Sequence, residues 1–252
     1  MIALLRKVAD SLGQCELSYL GRSEIEVARA QAQHAAYAAA LTLLGCELKW
    51  LSPLPAQPDG VFVEDTAVVV PEVAVITRPG AASRRGEVES AAAALAQYLP
   101  VQRITEPATL EGGDVLRIGR NLYVGASRRS NAQGVAQLAQ ALAPFGYHVR
   151  AVAMRDCLHL KSAATFIAPD TVLANPAWVD PGEFACARVI AVAADEPFGA
   201  NTLTLGGVTL VSADYPQTRQ LLETAGVTTR ELDVSELHKA EAALTCLSVV
   251  IA

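Results

Sequence analysis

Apolar positions along this chain change period repeatedly, from short extended runs to longer helical ones and back. After an apolar opening at residues 2–8, Ile25, Ala28, Ala32, Ala36, Ala39 and Leu43 recur at helical spacing and predict a helix over 23–44. Ser23 with Glu26 three residues on reads as a capping box at its start, and Gly45 as its end. The same period predicts helices over 86–98, 131–145 and 216–225, each followed by an extended stretch, at 101–104, 148–152 and 227–232. Between these units lie pairs of strand candidates: 61–70 with 73–77, 115–118 with 122–124, 164–167 with 171–174, and 202–205 with 208–212. Turn residues at Gly119-Arg120-Asn121, Pro169-Asp170 and Gly206-Gly207 make them hairpins.

A second regularity overlies the first. Each leading strand opens beside a polar or reactive residue, Asp65, Asp114, Lys161, Asn201 and finally Cys246, at separations of 49, 47, 40 and 45 residues. A period near 45 built from a hairpin, a helix and a returning strand implies radial repetition, because no such unit can bury its own face. The predicted fold is therefore α/β, a propeller of five units. Its last hairpin pairs 247–251 with 2–8 and so closes the ring with the two ends of the chain. An ordinary α/β sandwich with coincidental spacing is the alternative.

Composition narrows the picture. A chain of 252 residues, 52% hydrophobic, can bury a sizeable core, and residues 1–252 are expected to form a single catalytic domain, or two small ones at most. Twenty Lys and Arg against 26 Asp and Glu, spread without long runs, leave no broad basic face for nucleic acid. Every apolar segment is interrupted before the length of a membrane span, and residues 1–13 lack the pattern of a secretory signal. Five cysteines, Cys15, Cys46, Cys157, Cys186 and Cys246, form no CxxC pair, so neither a structural metal nor a redox couple is expected. A reducing, cytoplasmic setting fits this usage.

If the repeat positions converge, Asp65, Glu111, Asp114, His159, Lys161 and Cys246 meet on one cavity, assembling acids, an imidazole and a thiol suited to attack on an electrophilic carbon. Only Cys246 among the cysteines sits at a repeat position; the others read as small buried hydrophobes. Of the four histidines, only His159 stands at the mouth of a repeat strand, although a lone histidine between leucines is also the mark of a satisfied structural residue. The segment from Asp59 to Glu64 and Asp65, like Leu110-Glu111-Gly-Gly-Asp114, places carboxylates at the end of an apolar run. Burying them is costly without a counter-charge, and a cationic ligand is one way to supply it. Arginines at 84–85 and 128–129 lie in loops leading into helices, where they could grip a carboxylate or simply be solvated.

With these residues in view, the sequence resembles the dimethylarginine dimethylaminohydrolases of the guanidine-modifying pentein superfamily. The resemblance covers nearly the whole chain through ordered blocks: SLGQCEL (11–17), EVARAQAQH (26–34), DGVFVEDTAVV (59–69), ITRPGAASRRGEVE (76–89), LEGGDVLRIGRNLYVGASRRSNAQG (110–134), LHLKS (158–162) and LTCLSV (244–249). It implies a five-bladed α/β propeller with pseudo-fivefold symmetry, closed by the N- and C-terminal strands. It also implies hydrolysis of asymmetric dimethyl-L-arginine or monomethyl-L-arginine to L-citrulline and dimethylamine or methylamine. The route implied is a covalent S-alkylthiouronium on Cys246, with no cofactor or metal. By position, Cys246 corresponds to the nucleophile, His159 to the general acid and base, and Glu111 to the acid supporting it. Asp65, with Glu64 beside it, corresponds to the guanidinium grip, and Arg84 and Arg129 to the α-carboxylate pair. Leu17 corresponds to a lid residue, and Asp59 and the backbone near Ala240 to contacts with the α-amino group. Glu111 stands where some members have Asp, and Leu247 where vertebrate members have a second cysteine. Deimination of arginine or agmatine on the same fold, and a non-catalytic binding propeller, are the rival readings. The expected partner is a small methylated arginine, with no nucleic acid and no membrane, and the chain is expected to be a monomer or homodimer.

Overall fold

The computed structural model describes residues 1–251, and among them it contains five three-stranded sheets. In chain order the elements begin with β1 (Ile2–Arg6), α1 (Val27–Leu43) and β2 (Glu47–Leu51). The next two units are β3 (Ala67–Val70), β4 (Val73–Ile76), α2 (Val88–Leu95) and β5 (Val101–Arg103), then β6 (Val115–Ile118), β7 (Asn121–Gly125), α3 (Ala132–Leu142) and β8 (His148–Val152). A one-turn α4 (Leu160–Ala163) precedes β9 (Ala164–Ala168), β10 (Thr171–Ala174) and β11 (Arg188–Ala191). The chain finishes with β12 (Leu203–Leu205), β13 (Val208–Ser212), α5 (Pro216–Thr224), β14 (Thr228–Leu232), a one-turn α6 (Ser235–His238) and β15 (Val249–Ile251).

Each sheet is an antiparallel hairpin whose second strand also pairs, in parallel, with a returning third strand. In the third unit, for example, Val115 faces Val124 across the hairpin and Gly125 faces Val152 on the other side. Parallel pairing requires a crossover, which explains the helix in four of the five units. In the unit of β9–β11, a short 3-10 turn at Pro181–Glu183 does that job instead. Its third strand, β11, was not anticipated although Val189, Ile190 and Ala191 are apolar, because no helix precedes it to mark the repeat, and three of its four residues are exposed. The ring closes as the spacing predicts: β15 runs antiparallel to β1, with Ile2 opposite Ile251 and Leu4 opposite Val249.

Two local expectations need correction. Ser23 does not cap α1, which starts at Val27; the backbone N–H of Glu26 donates instead to the Glu236 carboxylate, 2.9 Å away on α6. The stripe Ala28, Ala32, Ala36, Ala39 and Leu43 faces solvent, whereas Ala30, His34, Tyr37 and Leu41 face the core. A methyl group removes too little area from water to choose the face of a helix, so the larger side chains choose it. At the other end Gly45 behaves as expected: at φ +85° it lets Cys46 N–H reach the Leu41 carbonyl and Gly45 N–H the Thr42 carbonyl.

The core lies between units. Val68 and Val75 of one sheet pack with Val115, Leu122, Val124 and Leu138 of the next, so neither face is dry until its neighbour is in place. The leading strands stand around the axis, and Val68, Leu116, Phe166, Thr204 and Val250, one from each, line a cavity of about 260 Å³ at one end of it. The other end holds Asp65 and Cys246 of the repeat, while Lys161 reaches the first cavity. No helix among the described residues is long and apolar enough to cross a membrane.

Candidate active site

The strand expected over 61–70 begins only with β3 at Ala67; two successive 3-10 turns, Pro58–Val61 and Val63–Thr66, precede it. These turns bring Asp59 and Asp65 to the axis, 6% and 2% exposed. A third turn, Gly112–Asp114, follows Glu111 and packs under them. Here the two glycines are needed for close approach: a Cβ on Gly113 would fall 2.6 Å from His159 Nδ1 and 2.8 Å from Asp65 Oδ1, and one on Gly112 2.0 Å from the Glu64 carbonyl.

Around these turns the charged groups form one buried network. His159 Nε2 lies 2.7 Å from Glu111 Oε2, and His159 Nδ1 lies 3.9 Å from Asp65 Oδ1. Asp65 Oδ1 also accepts the Gly113 N–H at 2.9 Å, and its Oδ2 meets Arg84 Nη1 at 2.7 Å. Asp114, which is wholly buried, accepts from the Ser127 and Ser130 hydroxyls and from Leu160 N–H at the start of α4, so it fixes the segment that presents His159. Burial disfavours the charged imidazole, but Asp65, Asp114 and Glu111 outweigh it and raise His159 to about 9. Asp65 is itself desolvated, yet His159 and Arg84 hold it down at about 2. Burial lifts Asp114 to about 6. At neutral pH the centre is thus an imidazolium among carboxylates.

Cys246, in the short turn before β15, lines the same small cavity as His159, Asp65, Asp59, Arg84 and Arg129. Its thiol is pushed up to about 12 by burial and by the charges of Glu64 and Asp65, against a lowering by Lys161. The cavity is about 20 Å³, roughly the room a single water needs, so admitting a larger ligand requires its walls to move. One wall is the loop at residues 16–20. Glu16 N–H donates to Asp59, and the Glu241 carboxylate accepts the backbone N–H groups of Ser18, Tyr19 and Leu20 at 2.6 to 3.0 Å.

Several expected positions differ from their assigned places. Glu64 does not line this cavity: its carboxylate pairs with Lys161 Nζ at 2.5 Å and accepts from Thr245 Oγ1 at 2.8 Å, forming a floor towards the opposite axial cavity. Leu17 packs on the apolar core, and its neighbour Glu16 is the cavity-lining residue. Arg84 does line the cavity, but its guanidinium is engaged by Asp65, by both oxygens of Glu87 and by the Asp59 and Phe62 carbonyls. Arg129 is less committed, with Nη1 3.4 Å from Glu111 and Nη2 3.2 Å from Ser18 Oγ. Ala240 lines the cavity as expected. Sequence reasoning missed Glu87 and Glu241; Glu87 lies in the quoted 76–89 block, whereas nothing in the pattern around Glu241 marks it. Asp65, Glu111 and His159 place ligand atoms within 4.8 Å of one another, close enough to hold a metal ion, but the Arg84 guanidinium supplies the adjacent positive charge.

Comparison with known proteins agrees with this geometry. A family model described as arginine deiminase matches residues 58–197. An N(G),N(G)-dimethylarginine dimethylaminohydrolase from Streptomyces coelicolor is 40% identical, the alignment covering 98% of this chain and 95% of that one. The chain belongs to the dimethylarginine dimethylaminohydrolase family. The family's enzyme from Pseudomonas aeruginosa, a cysteine-to-serine mutant complexed with citrulline, superimposes with a TM-score of 0.92 at 31% identity, covering 98% of this chain and 97% of that one. A histidine-to-glycine form of a dimethylarginine dimethylaminohydrolase, an adduct with S-methyl-L-thiocitrulline, gives 0.91 at 32% identity over 98% of each chain. The five-unit α/β propeller is therefore the family's own architecture.

Proposed function

We propose that this dimethylarginine dimethylaminohydrolase homologue hydrolyses asymmetric dimethyl-L-arginine or monomethyl-L-arginine to L-citrulline, releasing dimethylamine or methylamine. The observation that carries the reading is a thiol and a buried imidazole, flanked by Glu111 and Asp65, sharing one cavity. A guanidinium is resonance-stabilised and weakly electrophilic, so catalysis must hold it, supply a strong nucleophile and protonate the nitrogen that leaves. Asp65 offers the anionic grip. The bound cation offsets the charges of Glu64 and Asp65 that raise the Cys246 thiol, and so favours the thiolate, its proton passing to solvent.

Attack of Cys246 Sγ on the central carbon gives a tetrahedral adduct. His159 then gives a proton to the methylated nitrogen, the C–N bond breaks, and an S-alkylthiouronium remains on the cysteine. Nδ1 is the proton-giving atom, because Nε2 is held by Glu111. The neutral imidazole next takes a proton from water, whose oxygen attacks the same carbon; citrulline departs and the sulfur is regenerated. Arg129, Asp59 and the Ala240 backbone line the cavity where the α-carboxylate and α-amino groups would lie.

A citrulline assay with asymmetric dimethylarginine, monomethylarginine, arginine and agmatine tests this on the wild type, Cys246→Ser and His159→Ala. Turnover of methylated arginine that is lost in both variants is expected. Undiminished turnover in both, or turnover of arginine or agmatine alone, sinks the reading.

A further inference from the structure

A second cavity, of about 80 Å³, adjoins the first. Cys246 lines both, as do Leu158, Glu241 and Ala242, so one wall of the second cavity is the reacting cysteine itself. Phe198, Tyr215, His238 and Ala243 line only the second. Its volume is several times what one water needs, and its walls include three aromatic rings, those of Tyr19, Phe198 and Tyr215.

One polar atom of a lining residue lacks a partner. His238 Nδ1 lies 2.6 Å from Asp214 Oδ2, and since a carboxylate only accepts, Nδ1 carries a hydrogen. Among the described residues nothing bonds to His238 Nε2, although it is closed off from solvent. The ring is held in place by stacking on Tyr215, with centroids 5.4 Å apart. Phe198 is likewise held edge-on by Trp178, at 4.8 Å. Fixed aromatic rings beside an acidic side chain, against the reacting cysteine, suit a small amine with methyl groups.

We propose that this cavity is the subsite for the leaving amine: it receives the N-methyl groups of the substrate and then the released methylamine or dimethylamine. The assignment rests on the reaction proposed above. Cleavage breaks the bond from the central carbon to the methylated nitrogen; that nitrogen takes one proton from His159 and leaves as a neutral amine bearing at least one N–H. In the cavity the methyl groups lie against Phe198 and Tyr215. If the amine gains a second proton from water before it escapes, the same rings and the Glu241 carboxylate suit the methylated ammonium. The citrulline half stays in the axial cavity, so the two products have separate places on either side of the sulfur.

The test compares kcat/KM for dimethylarginine and monomethylarginine in the wild type, in Ala243→Leu, which fills the cavity, and in His238→Phe, which keeps a stacked ring and removes the ring nitrogens. Filling should lower the dimethyl-to-monomethyl ratio by about tenfold, and His238→Phe should lower kcat for both. Product inhibition of the unmodified enzyme gives a reading independent of any variant's folding. Dimethylammonium chloride should inhibit about tenfold more strongly than ammonium chloride, and this preference should shrink in Phe198→Ala. A wild type that turns over dimethylarginine but shows equal inhibition by the two salts, or a ratio unmoved by Ala243→Leu, overturns the subsite alone. A wild type that turns over neither methylated arginine removes the reaction, and the subsite falls with it.

Discussion

The thiol at the centre of the proposed chemistry is held neutral by its surroundings, and that can be measured. With Cys246 near 12, about one free enzyme in 10⁵ carries the thiolate at pH 7. Burial is the main cause and Glu64 the first of the charges, so Glu64→Gln removes the largest electrostatic contribution. Gln keeps the size of the side chain, accepts from Lys161 through its one amide oxygen and turns its NH2 to the Thr245 hydroxyl oxygen. Loss of one neighbouring charge should lower the thiol by roughly one to two units, which raises the thiolate population about 10- to 100-fold. A less basic thiolate is also a weaker nucleophile, with a Brønsted slope of about 0.4–0.5, so the net gain in alkylation rate is roughly 3- to 10-fold. The assay is inactivation by iodoacetamide, followed as lost citrulline production between pH 6 and 10. The wild-type rate should climb about tenfold per pH unit without levelling off, and Glu64→Gln should lie above it throughout. A wild-type rate already flat between pH 7 and 8, or a slower variant, would refute the reasoning.

Other consequences can be checked separately. Arg84→Met strands Asp65 and Glu87 in a buried site and should cost about 3–5 kcal/mol in denaturant unfolding, whereas Arg129→Met should leave unfolding nearly unchanged and raise KM. Because the folded His159 is raised to about 9, its contribution to stability is complete below about pH 6.5 and is lost as pH rises through 9. The thermal midpoint should therefore fall over that window, and His159→Ala should flatten the slope; equal slopes would contradict the assignment. Glu241→Ala removes the acceptor for three backbone N–H groups of the 16–20 loop, so those amides should exchange with solvent faster than in the wild type. KM should rise more than kcat falls, and unchanged exchange would show that the loop is held by something else.

How much of this was legible in sequence depended on distance along the chain. The repeat could be read because each unit is local: a hairpin and a returning strand leave their period in nearby residues, as 115–118 with 122–124 and 148–152 show against the observed β6, β7 and β8. The closing pair β15 and β1 was also legible, since the period of the repeat leaves 247–251 and 2–8 as the two strands of the last hairpin. The alanine face of α1 misled because it has the period of a buried helix without the area. What sequence could not reveal was the choice of partner among charges. Asp65 has Arg84, His159 and Gly113 around it, Glu64 one position earlier turns to Lys161 and Thr245, and nothing in the adjacent letters separates the two.

The structure adds a constraint on how binding must proceed. Asp65, the proposed guanidinium grip, already holds a guanidinium, that of Arg84, at 2.7 Å. A ligand cation cannot take its place at Asp65 without either sharing the carboxylate or drawing Arg84 away, and two buried guanidinium groups on one carboxylate would repel. A substrate that carries an anionic α-carboxylate at its other end supplies the compensating charge: as it draws Arg84 off Asp65, it frees the oxygen its own guanidinium needs. A ligand with the guanidinium but no carboxylate, such as agmatine, lacks that exchange. If methylated arginine binds as proposed, the resting ion pair favours an amino acid over an amine before any contact with the α-amino group is made.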